Sequence, residues 1–146
     1  MPRFFTLAEA ETQLPRVERL LRTCLESKRV YGRADAELTV VTQRISFSGG
    51  LEVARDEVQQ MRRRKDTSAR RLKSAVERIQ SIGCHLKDLD IGLIDFPTLY
   101  HGEEVYLCWK LGEPAIQFWH PVADGFRGRR PIDRDFLAHH TGGETA

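Results

Sequence analysis

The sequence predicts an α+β fold: a long, coiled-coil-like antiparallel helical hairpin packed at its base on a three-stranded antiparallel β-meander. Two long stretches carry apolar residues at heptad spacing. After Gly83 the pattern switches to alternation, interrupted by tight-turn residues. The 146 residues suit a single domain, 1–146, with one core. Its parts are a hairpin at 7–46 and 51–82, a meander with a C-terminal loop at 84–131, and a frayed tail at 132–146.

The first helix begins at a capping box. Thr6 is followed three residues later by Glu9, each suited to bond the other's backbone N–H. Its seam runs Leu7, Ala10, Leu14, Val17, Leu21, Cys24, Lys28, Tyr31, Asp35, Leu38, Thr42 and Ile45. Pro15 and Gly32 are the positions where this helix would break or kink. Phe47-Ser48-Gly49-Gly50 is a strong turn signal. A second seam follows: Leu51, Ala54, Val58, Met61, Lys65, Ser68, Leu72, Ala75, Ile79 and Ile82, with Gly83 at the C-cap. Residues 51–82 contain neither Gly nor Pro, so this helix would reach about 50 Å at about 1.5 Å per residue. A short connection makes the two helices antiparallel and places Asp35 near Arg62 and Lys65, as a polar layer that fixes register.

Three alternating segments follow, at Ile91–Leu99, Val105–Leu111 and Ala115–His120, turning at His101-Gly102 and at Glu113-Pro114. This register puts Ile94, Phe96, Val105, Leu107, Trp109, Ile116, Phe118 and His120 on an apolar face against the helices. It puts Asp95, Tyr106, Cys108, Lys110, Gln117 and Trp119 on the other face. Asp95, Cys108 and Trp119 then share one row, with Lys110 diagonal to Asp95 as an expected ion pair.

Charge and composition exclude several classes. The net charge is +2, so no global field attracts nucleic acid or a membrane. No stretch approaches the roughly 20 apolar residues that span a bilayer. The start, MPRFFTLAEAETQL, reads as a mature terminus and not as a signal peptide. Three widely spaced cysteines, Cys24, Cys84 and Cys108, suit a reducing cytoplasm. Arg62 to Arg71 is a basic run, but Asp66 falls within it, Asp56, Glu57 and Glu77 flank it, and no aromatic residue accompanies it. A solvated helix face is therefore preferred to nucleic-acid binding.

Several runs are recognisable: Gly83-Cys84, Leu86-Lys87-Asp88, Gly92-Leu93-Ile94-Asp95-Phe96-Pro97, Cys108-Trp109, Leu111-Gly112-Glu113, Trp119-His120 and Asp124-Gly125-Phe126. With the early Phe-Thr-Leu-Ala-Glu-Ala and Leu14-Pro15, they resemble the uncharacterised bacterial domain-of-unknown-function family 2203 over nearly the whole chain. The resemblance implies a small bacterial protein and supplies no catalytic residues.

Function therefore rests on the residues. The mixed face of Asp95, Tyr106, Cys108, Lys110 and Trp119 is the expected ligand surface. Arg127, Arg129 and Arg130 lie in a glycine-bearing loop suited to an anion or to pinning that loop onto carboxylates. His85, Asp88, Asp90 and His120 are candidate metal ligands, without the paired spacing of a zinc motif. No phosphate-binding loop, dinucleotide fingerprint or nucleophile elbow is present, and Cys108 lies inside a strand and not at a helix N-terminus. The reading is a non-enzymatic interaction or small-ligand-binding module, needing no cofactor. It forms a homodimer, or meets another protein partner, through apolar residues in the tip half of the hairpin. The alternative is a metal- or anion-dependent hydrolase using Asp88, Asp90, Asp95 and His120.

Overall fold

A computed structural model describes residues 3–48 and 53–144. The expected turn at Gly49-Gly50 and the seam residue Leu51 lie outside them. The chain runs β1 (Arg3–Phe4), α1 (Leu7–Ser48), α2 (Val53–Ile82), β2 (His85–Asp88), β3 (Leu93–Tyr100), β4 (Glu103–Lys110), β5 (Phe118–Pro121), β6 (Arg130–Pro131), α3 (Arg134–His139), β7 (His140–Thr141) and β8 (Gly143–Glu144). It divides into two compact units: Met1–Leu21 with Val76–Ala146, and Arg22–Ala75.

The capping box forms as its residue types require. Glu9 N–H donates to Thr6 Oγ1 at 3.1 Å, and Thr6 N–H donates to Glu9 Oε1 at 3.0 Å. α1 then continues unbroken through Pro15 and Gly32. Pro15 is exposed, so its ring meets solvent and not a packed neighbour. α2 ends where Gly83 takes φ +106°, with Gly83 N–H donating to Gln80 O at 3.0 Å.

In the unit Arg22–Ala75 the two helices pack together. Lys65 Nζ lies 2.8 Å from Asp35 Oδ1, and Arg64 lies 3.7 Å from Glu37. A groove is lined in common by Val41, Arg44, Glu57 and Met61. These contacts run in opposite sequence order along the two helices. The α1 seam is corrected by one position. Ser27, Ala34 and Val41 are buried, whereas Lys28, Asp35 and Thr42 are exposed. Burying Lys28 and Asp35 would strip two charges of water, and the small residues on the neighbouring row fill the stripe instead. Asp35 thus meets Lys65 at the rim of the helix pair and not in a buried layer.

In the other unit the sheet is antiparallel, in the order β2-β3-β4-β5-β6, with β7 also on β3. The expected three strands are its centre. β2 and the two-residue strands β6 and β7 carry too few residues for an alternation signal. The β3–β4 turn is His101-Gly102, with φ +51° and +78°, and its register pairs Ile94 with Trp109 and Asp95 with Cys108 as expected.

The β5 register is corrected by one residue. Leu107 pairs with Trp119 and Cys108 with Phe118, so Trp119 shares the face of Ile94, Phe96 and Trp109. Phe118 and His120 lie on the face of Asp95 and Cys108. The expected two-residue turn is a longer loop built on Glu113. Its carbonyl accepts from Trp109 Nε1 at 3.0 Å, and its carboxylate accepts from Lys110 N–H at 2.7 Å and from Arg129 at 2.6 Å. β5 therefore starts at Phe118 and not at Ala115.

The expected frayed tail is also corrected, as far as Glu144. Asp133 caps α3, accepting from Phe136 N–H at 2.8 Å. Phe136 is fully buried among the rings of Tyr100, Trp119 and His140. His140 Nε2 accepts from Leu7 N–H at 3.1 Å, and β8 pairs with β1. A Cβ at Gly142 would come within 2.7 Å of Thr6 N and Glu9 Oε1, so the C-terminal strand lies directly on the capping box.

Candidate functional site

Antiparallel pairing fixes which side chains share the second sheet face. One row holds His85, Asp95, Cys108 and Phe118, and the next holds Pro97, Tyr106 and His120. His120 reaches diagonally past β4, so Nε2 lies 3.0 Å from Asp95 Oδ1 and 3.1 Å from Oδ2. Its Nδ1 lies 2.8 Å from the carbonyl oxygen of Pro121. A carbonyl only accepts, so Nδ1 carries a proton and donates. In the neutral ring Nε2 is then a bare lone pair facing a carboxylate. A proton shared between Nε2 and the carboxylate closes the contact as a hydrogen bond, and a metal ion held by both atoms would take that proton's place.

Cys108 completes the cluster. Its Sγ, a carboxylate oxygen of Asp95 and a ring nitrogen of His120 lie within 4.8 Å of one another, and all three residues are buried. Burial, followed by the Asp95 charge, pushes the Cys108 thiol up to about 12. It carries its proton at neutral pH and is no nucleophile. The Tyr106 ring stands edge-on to both His120 and His85, at 5.6 Å from each. Tyr106 also lines a cavity of about 510 Å³ with Arg3, His85 and Glu104. Lys87 Nζ sits 4.9 Å from the Tyr106 ring centre, and Arg3 stacks on Phe5 at 4.4 Å.

The other anticipated residues are dispersed. Lys110 leaves Asp95 to His120 and lies 5.9 Å from the Phe126 ring, so the expected Asp95–Lys110 pair does not form. Trp119 lies on the opposite face, stacked on Phe136, with Arg130 5.2 Å from its ring. Arg129 Nη2 donates to both carboxylate oxygens of Glu113, at 2.6 and 2.8 Å, and its guanidinium packs on Phe118 and Phe126, pinning its loop to the sheet. Arg130 lies 3.7 Å from Asp124, and Arg127 is exposed. Asp88 Oδ1 accepts from Asp90 N–H and Ile91 N–H at 2.9 and 3.3 Å, as the local cap of a turn. His85 joins the cavity wall. The metal candidates therefore part company: His120 goes with Asp95 and Cys108, while Asp88 and Asp90 stay at the β2–β3 turn.

Sequence reasoning missed the His120–Asp95 contact because it assigned β5 the wrong phase. The signal was present: Trp119 and His120 are adjacent, and only one can face an apolar core. A second cluster was missed with the tail. His101, Asp135 and His139 gather at the surface, with the two histidine rings stacked at 4.5 Å. The Tyr100 hydroxyl donates to Asp135 and, ahead of the two histidines, holds its carboxyl below the usual range.

The family described as "Uncharacterized conserved protein (DUF2203)" matches residues 3–132, and the chain belongs to it. No curated protein and no solved structure matches the chain. Among the described residues, no helix is long and apolar enough to cross a membrane.

Proposed function

We propose that this member of the family is a cytoplasmic, non-enzymatic binding module for a small anionic molecule with a planar part. The cavity on the second sheet face carries this reading. It offers about 510 Å³ of space with an aromatic wall at Tyr106 and an arginine fork at Arg3. Lys87, which stacks on Tyr106, adds positive charge beside it, and Glu104, next to Tyr106 on the same strand face, supplies an acceptor to orient the ligand. The non-enzymatic reading is supported by the protonated Cys108 thiol and by the capping role of Asp88. The free thiols of Cys24, Cys84 and Cys108 accord with a reducing compartment.

Titration of isotopically labelled protein with benzoate and with inorganic phosphate tests the assignment. Benzoate at millimolar concentration is expected to shift the amide resonances of Arg3, His85, Glu104 and Tyr106, and Tyr106→Ala to abolish the response. No shift with either anion, or shifts scattered over the surface, refutes it.

A second reading concerns assembly: a homodimer through the helical hairpin. A groove of about 320 Å³ runs along the unit Arg22–Ala75, with Val40 52% exposed on its wall and Glu37, Arg44 and Glu57 around it. A twofold axis would cover Val40 with its own copy and set glutamates opposite arginine.

A further inference from the structure

We propose that Asp95, Cys108 and His120 form a binding site for a single transition-metal ion of the zinc type. Three observations carry this. The three donor atoms already lie within 4.8 Å of one another. All three residues are essentially sealed from water, with His120 and Asp95 each 1% exposed and Cys108 0%. Finally, the Nδ1–H of His120 is committed to the Pro121 carbonyl, which turns Nε2 toward the carboxylate. Metal-ligating histidines are oriented in this way, by a backbone acceptor on the far ring nitrogen.

The donor set selects the ion. Thiolate with imidazole suits zinc or cobalt(II), whereas calcium and magnesium take oxygen. The fit is close. Bonds of about 2.0 Å in a tetrahedron separate nitrogen from oxygen by about 3.3 Å, a few tenths more than the 3.0 Å between His120 and Asp95. Three protein ligands leave a fourth position. None of Asp95, Cys108 and His120 lines the cavity, so loss of either site leaves the residues of the other in place.

Binding is balanced by proton release. The metal takes the Cys108 sulfur as thiolate and the His120 Nε2 lone pair, so the thiol proton and the proton shared between Nε2 and Asp95 both go to solvent. Apparent affinity therefore rises with pH, by up to about tenfold per unit for each proton released.

The test uses the full chain, freed of metal by a chelator and titrated with cobalt(II). One equivalent is expected to produce a thiolate-to-cobalt charge-transfer band and intense tetrahedral d–d bands. The charge-transfer band should survive in the double variant Cys24→Ala/Cys84→Ala, whose only thiol is Cys108. It should vanish in folded Cys108→Ala, and where that variant does not fold the double variant decides. No band in the wild type overturns the site. So does cobalt binding without a charge-transfer band, which would report the surface cluster of His101, Asp135 and His139. A band that persists in folded Cys108→Ala, or is lost in the double variant, also overturns it.

Discussion

Cys84 and Cys108 are thiols that packing has taken out of water, and burial pushes both up from 9.0 to about 12. Their stabilising contribution follows from the sign of that shift. A group whose folded value is raised stays protonated in the native state after the unfolded chain has begun to ionise. The contribution is complete below pH 9.0 and is lost progressively as pH climbs toward about 12. In metal-free protein the urea midpoint is therefore expected to fall above pH 9.0, and to fall less in Cys84→Ala. An equal pH dependence in the two proteins would remove burial of Cys84 as the cause. Where a glycine is required, the cause is similarly local. Gly92 has φ +69°, and a Cβ there would meet the Cβ of Leu111 at 2.5 Å, so the β2–β3 turn and the next strand end approach as only glycine permits.

At the scale of elements, β5 and the C-terminal segment explain one another. Trp119 turns inward because Phe136 of α3 and Tyr100 of β3 offer it two rings, at 5.1 and 5.0 Å. Turning inward puts His120 beside Asp95. The helix that looked like tail thus helps to set the register that builds the candidate metal site. Truncating Phe136 to alanine is expected to cost about 3–5 kcal/mol, the range for a buried aromatic ring. It should also weaken cobalt binding, because the phase of β5 loses its anchor. Leu137, 47% exposed on the same short helix, should tolerate alanine within about 0.5 kcal/mol. Denaturant midpoints compare the two. Equal, small effects would mean that the C-terminal segment is dispensable to the sheet.

For the molecule as a whole, the proposed homodimer makes a direct prediction. Light scattering should give twice the 16.8 kDa chain mass, and Val40→Glu should return a monomer with unchanged helix content. Val40 is the appropriate position because Val41 is 3% exposed, so a glutamate at Val41 would bury a charge and unfold the helix pair. A wild-type monomer at micromolar concentration refutes the dimer and leaves the groove to a different protein.

The α+β class, the capping box, the end of α2 at Gly83 and the β3–β4 register were legible in the sequence because each depends on neighbours along the chain. Glu9 reaches Thr6 within one helical turn, and His101-Gly102 dictates how the flanking strands pair. The place of Asp95 and Cys108 in one row followed from that turn alone. The α1 seam past Cys24, the phase of β5, the partner of Asp95 and the docking of residues 132–144 were decided by tertiary structure. Each of these was a choice between local patterns of similar cost. Lys28 and Ser27 are both permissible in a helix, and Trp119 and His120 are both permissible on either face of a strand. What chose between them was desolvation: charges are held at the rim, and a large indole is drawn to the pocket formed by Tyr100 and Phe136. That preference exists only once distant segments meet, so no window of neighbouring residues contains it.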